Sequence, residues 1–145
     1  MVLVFVIHFT TTVFMTGLIW MVQIVHYPLF KNIGSNEFLQ YEKQHSKLIT
    51  FIVGPVMTIE LVTGILLATS NYLNEQNYIL YLISFGLLIL IWLCTIFIQI
   101  PQHKKLSSGY DKEVINKLVS YNWIRTVSWS ARALILCYIL SDIIT

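Results

Sequence analysis

Charge is what this sequence is short of. Only 11% of its 145 residues are Asp, Glu, Lys or Arg, against 57% that are hydrophobic. An ordinary soluble domain carries roughly 25% charged residues, so a water-solvated globule of this size is excluded. Cysteine is scarce as well: Cys94 and Cys137 are the two present, and both fall inside apolar runs. A secreted disulfide framework needs more cysteines, placed in loops, and a helix count puts these two at different depths, so free thiols are expected. Internal repeats and low-complexity segments are missing too. The net charge of +2 is too small for a nucleic-acid footprint, so no nucleic-acid partner is expected. No basic stretch precedes the first apolar run, and that run is much longer than the ~7–15 residues of a signal-peptide core. It is read as a retained helix.

What is present is apolar sequence in long blocks separated by short polar stretches, the pattern of membrane-spanning helices. Four spans are predicted, at about 2–25, 48–68, 78–100 and 123–144, with polar connections over 26–47 and 101–122. At 1.5 Å per residue each crosses a hydrocarbon core of about 30 Å. The predicted fold class is therefore all-α, a single transmembrane domain built as an antiparallel four-helix bundle. Pro28 is expected to close the first helix and Pro101 the third, because a residue before proline is pushed out of helical geometry. Gly54-Pro55 should kink the second. Ser35 or Asn36 should cap the helix leading into the second span. Asp111 should cap a short helix through Val119, ahead of the fourth span. The short turn 69–77 makes helices two and three antiparallel neighbours.

The basic residues lie on one side. Lys31, Lys43, Lys47, Lys104, Lys105, Lys112, Lys117 and Arg125 belong to the two long connections or their flanks, whereas the opposite side shows only Glu75 and Asp142. The positive-inside rule then makes the connections cytoplasmic and both termini non-cytoplasmic. The expected location is a multi-pass protein of the bacterial inner membrane, with the lipid bilayer as its first partner and the lysines against anionic lipid.

Antiparallel order brings distant polar residues to one level near the cytoplasmic boundary. His26 ends helix one, Glu42 and His45 precede span two, and His103 follows span three. Gln99, Asn122 and Arg125 share that level. Glu42 and His45 stand three apart on one helix face, a spacing that recurs in carboxylate-bridged metal sites of bundles. His26, Glu42, His45 and His103 are thus candidate ligands for Fe or Zn, and the histidines for haem. The same residues can serve as a metal-free catalytic set or as interfacial polar groups. A second group lies deeper: Glu60 at about 18 Å and Arg132 at about 14 Å from the cytoplasmic boundary, with His8 reaching that level from the other side. A charge there costs ~2.5–3.5 kcal/mol and faces a partner or a cavity, so Glu60 and Arg132 are an expected intramembrane pair. Trp20, Tyr27, Trp92, Trp123 and Trp129 either line a cavity for a flat ring or form interfacial belts.

The segment QIPQHKKLSSGYDKEVINKLVSYNWIRTVSW resembles the corresponding stretch of the anthrone-oxygenase-like small membrane proteins. The matching residues are Pro101, Gln102, His103, Leu106, Asn122, Trp123, Arg125 and Thr126. VHYPLF, from Val25 to Phe30, is similar to that family's proline-containing exit from helix one. His103 stands where the family often has Asn, and the Glu42/His45 pair is not one of its features. The resemblance implies four membrane helices and an oxygenase that needs no cofactor.

Two functions follow from different premises. In one, the chain is an oxidoreductase for a lipophilic aromatic or quinone-like substrate: His45 or His103 removes a phenolic proton, while Asn122 and Arg125 stabilise the oxyanion. In the other, it is a metal- or haem-binding protein or an accessory subunit, alone as a homo-oligomer or within a larger membrane complex.

Overall fold

The structure, a computed structural model, describes residues 1–70 and 72–144. It is 91% helical, and among the described residues four helices are long and apolar enough to cross a membrane: α1 (Val2–Asn32), α2 (Ser35–Ala68), α3 (Glu75–Leu106) and α4 (Lys112–Ile144). They form an antiparallel ring in the order α2, α1, α4, α3. Contact is most extensive between α3 and α4, then between α1 and α4, then between α1 and α2. α2 and α3, although joined by a short turn, touch least of the four neighbouring pairs. The outer surface is apolar: Phe51, Phe97 and Leu134 point away from the bundle at 79, 71 and 73% exposure. In water each would be a liability; against acyl chains they are solvated. The chain is a multi-pass membrane protein.

The helices run past the predicted ends of the spans, and the prolines do not stop them. α1 continues through Pro28 by widening into a π turn at Val22–His26, and α3 continues through Pro101 after a π turn at Thr95–Gln99. A proline lacks an N–H and its ring crowds the carbonyl four residues earlier. In a π turn the next amide instead reaches five residues back, Tyr27 to the Val22 carbonyl and Ile100 to the Thr95 carbonyl. The helix passes the proline by this local change of pitch. α2 likewise runs unbroken through Pro55. α2 begins after Gly34 without a side-chain cap, in place of the predicted Ser35 or Asn36 cap. Asp111 does cap, its Oδ1 accepting from the amides of Glu113 and Val114 at 2.9 and 3.1 Å. The helix it starts, however, runs straight on through the fourth span. Gly109 at φ +154° makes the turn between α3 and α4.

Two apolar clusters fill the interior. One, around Met15, Tyr27, Phe30, Phe38, Met57 and Trp129, occupies the half toward the lysines. The other, around Phe5, Leu67, Tyr81, Leu136 and Ile139, occupies the far half. A polar layer separates them. Glu60 and Arg132, both fully buried, form an ion pair between α2 and α4. The Glu60 carboxylate also accepts from the Thr12 hydroxyl at 2.7 Å and the Trp129 indole at 3.3 Å. Arg132 donates through Nε to the Ser84 carbonyl at 3.1 Å and through Nη2 to His8 Nε2 at 3.2 Å. Because arginine only donates, His8 Nε2 accepts. Its Nδ1 then carries the hydrogen and donates to the Glu60 carbonyl or the Thr63 hydroxyl, at 3.1 and 3.0 Å. All four helices are tied at one depth. Cys94 is buried and Cys137 is exposed, and both are free thiols.

Candidate functional site

At the end that carries the lysines, the π turns and the first turns of α2 and α4 meet. Lys31, Lys43, Lys47, Lys104, Lys105, Lys112 and Lys117 are all exposed there, while Arg125, counted with them on sequence, turns inward and is 6% exposed. The i, i+3 spacing on α2 aims Glu42 and His45 into the bundle, and both are buried. His103 arrives from the helical extension beyond Pro101, and His26 from the π turn of α1.

These four residues meet, in pairs. Glu42 Oε1 accepts from His103 Nδ1 at 2.7 Å and from the Ser46 hydroxyl at 2.8 Å. With Nδ1 donating, the neutral His103 ring presents a lone pair at Nε2, which receives the Tyr27 hydroxyl at 3.0 Å. The result is a carboxylate–imidazole–phenol chain, with the tautomer set by a buried acid. The second pair is His26 Nε2 and His45 Nδ1, 2.8 Å apart. One hydrogen lies between them, so one nitrogen donates and the other accepts. Phe30, fully buried, packs edge-on against His26 and His45 at ring separations of 5.3 and 5.2 Å and against His103 at 6.5 Å.

Metal coordination needs lone pairs directed at one point. Here His26 Nε2, His45 Nδ1 and both His103 nitrogens are turned toward one another, toward Glu42 and toward Tyr27, whereas His45 Nε2 and Glu42 Oε2 are buried without a hydrogen-bond partner, and a phenyl ring packs against the three imidazoles. Among the described residues no group of three or more His, Cys, Asp or Glu is disposed to hold a metal ion. The set His26, Glu42, His45 and His103 thus converges in space, but its side chains as placed do not form such a group.

Two cavities flank the cluster. One of about 390 Å³ lies between α1 and α2, bordered by His26, Tyr41, Gln44 and His45. The other, of about 430 Å³, opens between α2 and α3, where those helices touch least, and is bordered by Tyr27, Val53, Met57, Trp92, Gln99, His103 and Arg125. Its wall is mainly apolar with a few polar groups, the usual make-up of a small-molecule site. Arg125 is held in place on its far side. Its Nη1 donates to Asn122 Oδ1 at 3.3 Å, and its Cζ lies 5.3 Å from the centre of the Trp129 ring. Asn122 in turn donates to Gln23 Oε1 at 2.8 Å, and Gln23 donates to the Val119 carbonyl at 3.2 Å. Of the four residues predicted as catalytic, His103 and Arg125 border the larger cavity. His45 borders the smaller one, and Asn122 borders neither.

Sequence reasoning did not find the Tyr27 hydroxyl as a partner of His103, nor Phe30 between the histidines. Both follow from the π turn, which rotates the end of α1 relative to a regular helix and leaves no pattern in hydropathy. No family model, curated protein or solved structure matches this chain.

Proposed function

We propose that this protein is a membrane oxidoreductase that oxidises a lipophilic aromatic or quinone-like molecule in the cavity between α2 and α3, with the end bearing the lysines facing the bacterial cytoplasm. The observation that carries this reading is the Glu42–His103–Tyr27 chain on the wall of an apolar cavity that also holds a buried arginine. An apolar substrate dissolved in the bilayer reaches such a site through the gap between α2 and α3 without crossing water.

His103 acts as the base. Glu42 fixes the ring with its Nε2 lone pair on the Tyr27 hydroxyl and stabilises the imidazolium once it forms. A phenol or its keto tautomer bound in the cavity loses a proton to Nε2 through the Tyr27 hydroxyl, which passes its own proton to His103 as it takes the substrate's. Arg125 offsets the negative charge left on the substrate oxygen. The electron-rich anion is then oxidised by dioxygen. At a ring methylene, one oxygen atom becomes the new ring carbonyl. The other leaves as water with the two hydrogens taken from that carbon. The chemistry needs a base, an oxyanion partner and a mainly apolar pocket, and His103, Arg125 and the wall of this cavity support that reading.

Oxygen uptake by purified protein in mild detergent, with an anthrone as substrate, tests the proposal. Positioned acid–base groups contribute roughly 10²–10⁴ in rate, so His103→Ala should lower turnover by about that factor in protein whose circular dichroism shows that it is still folded. Wild-type rates in His103→Ala would refute the assignment.

A further inference from the structure

The wall of the cavity between α2 and α3 contains polar groups that the protein itself does not satisfy, and two of the residues that carry them, Gln99 and Trp92, have no part in the proposed chemistry. Gln99 is 2% exposed, and neither its amide nitrogen nor its amide oxygen has a hydrogen-bond partner. Arg125, 6% exposed, has a free Nε, and the buried indole Nε1 of Trp92 is free as well. All three residues border the cavity. Leaving a buried donor or acceptor unpaired costs more than a typical hydrogen bond returns. The fold can satisfy such groups: one layer deeper, Glu60, Arg132 and His8 are tied to partners.

The unsatisfied set has a definite chemistry. It comprises three N–H donors, on Arg125, Gln99 and Trp92, and one acceptor, Gln99 Oε1. No Asp or Glu borders the cavity among the described residues, while Arg125 and Lys104 do. A cation is therefore disfavoured, and an oxygen with lone pairs is favoured. The remaining wall, with Val53 and Met57, is shaped by apolar side chains that suit a ring.

We propose that Gln99, Arg125 and Trp92 form a carbonyl-recognition subsite, so that the ligand is an aromatic ketone or quinone held by its oxygen at this wall. The subsite rests on reading this cavity as the substrate site, and it names what selects the substrate. It explains why a glutamine is carried into a membrane helix on the π turn: its partner arrives with the ligand.

The test is calorimetric titration of the full chain in mild detergent with 1,4-naphthoquinone and with naphthalene, which has the same rings and no oxygen. Wild type should bind the quinone at least about tenfold more tightly, the worth of one hydrogen bond to a buried group. Gln99→Leu should lose that preference and should melt at an equal or higher temperature, since it removes an unsatisfied amide. Trp92→Phe, which keeps the ring and removes only the donor, should weaken quinone binding in the same direction and serves if Gln99→Leu does not fold. Equal binding of the two ligands by wild type would overturn the subsite, as would undiminished quinone preference in the Gln99→Leu and Trp92→Phe variants. Quinone binding that depends on Gln99 without oxygen uptake on anthrone would refute the oxidation and leave the subsite standing. Oxygen uptake that depends on His103 but is indifferent to Gln99→Leu would do the reverse.

Discussion

Replacing Glu60 by Gln should be the most damaging single change in the membrane interior, and removing its partner as well should undo most of the damage. Both side chains of the Glu60–Arg132 pair are fully buried. The single hydrogen bonds around the pair, from Thr12 and Trp129 to Glu60 and from Arg132 to His8, are worth on the order of 0.6 kcal/mol each inside a membrane protein. Breaking a buried ion pair costs about 3–5 kcal/mol, because one charge is left without compensation. Glu60→Gln keeps an acceptor for Thr12 but leaves the Arg132 guanidinium unpaired, so it should sit at the upper end. Arg132→Met should cost less: a stranded carboxylate can neutralise itself by taking a proton, whereas an arginine cannot. The double variant Glu60→Met/Arg132→Met leaves no charge, and swaps of this kind are often neutral or stabilising. It should lie within about 1 kcal/mol of wild type, a coupling of roughly 3 kcal/mol or more against the singles, at the top of the range for contacting residues. Equilibrium denaturation in mixed micelles, on wild type, the Glu60→Met and Arg132→Met singles and the double variant, measures the cycle, and Glu60→Gln measured beside them tests the ranking. A double variant as unstable as the sum of the singles would refute the argument that the pair, and not each residue alone, makes these charges tolerable.

A Cβ built at Gly64 would stand 3.2 Å from atoms of His8, Leu88 and Phe85, so Gly64→Val should overpack this level and cost about 1–3 kcal/mol, read as a lowered melting temperature in detergent. Membrane orientation can be read by single cysteines in a background lacking Cys94 and Cys137. Ser108→Cys, exposed between α3 and α4, should react with an impermeant maleimide only from the cytoplasmic side. Gln76→Cys, exposed in the first turn of α3, should react only from the other side. The reverse pattern would overturn the positive-inside assignment.

The sequence by itself determined that the chain lives in a bilayer, that it crosses four times, and which end carries the lysines. It did so because each of these depends on composition summed over some twenty residues, a local property that survives without any contact being known. It also put Glu60 and Arg132 at one depth, since depth is a residue count, and brought three histidines and Glu42 to one level by the same count. Azimuth around each helix was not legible, because two π turns shift the phase of α1 and α3 just ahead of Pro28 and Pro101. Only the tertiary structure therefore decided that Glu42 takes His103 while His26 takes His45, that Phe30 packs edge-on against the three imidazoles, and that Asn122 props Arg125 and does not border the cavity. Sequence adjacency joined α2 to α3, yet these two touch least of the neighbouring pairs, and a cavity lies between them at the end bearing the lysines. The cavity is the space left by that poor fit, and a fit between surfaces is a property that neither helix carries alone.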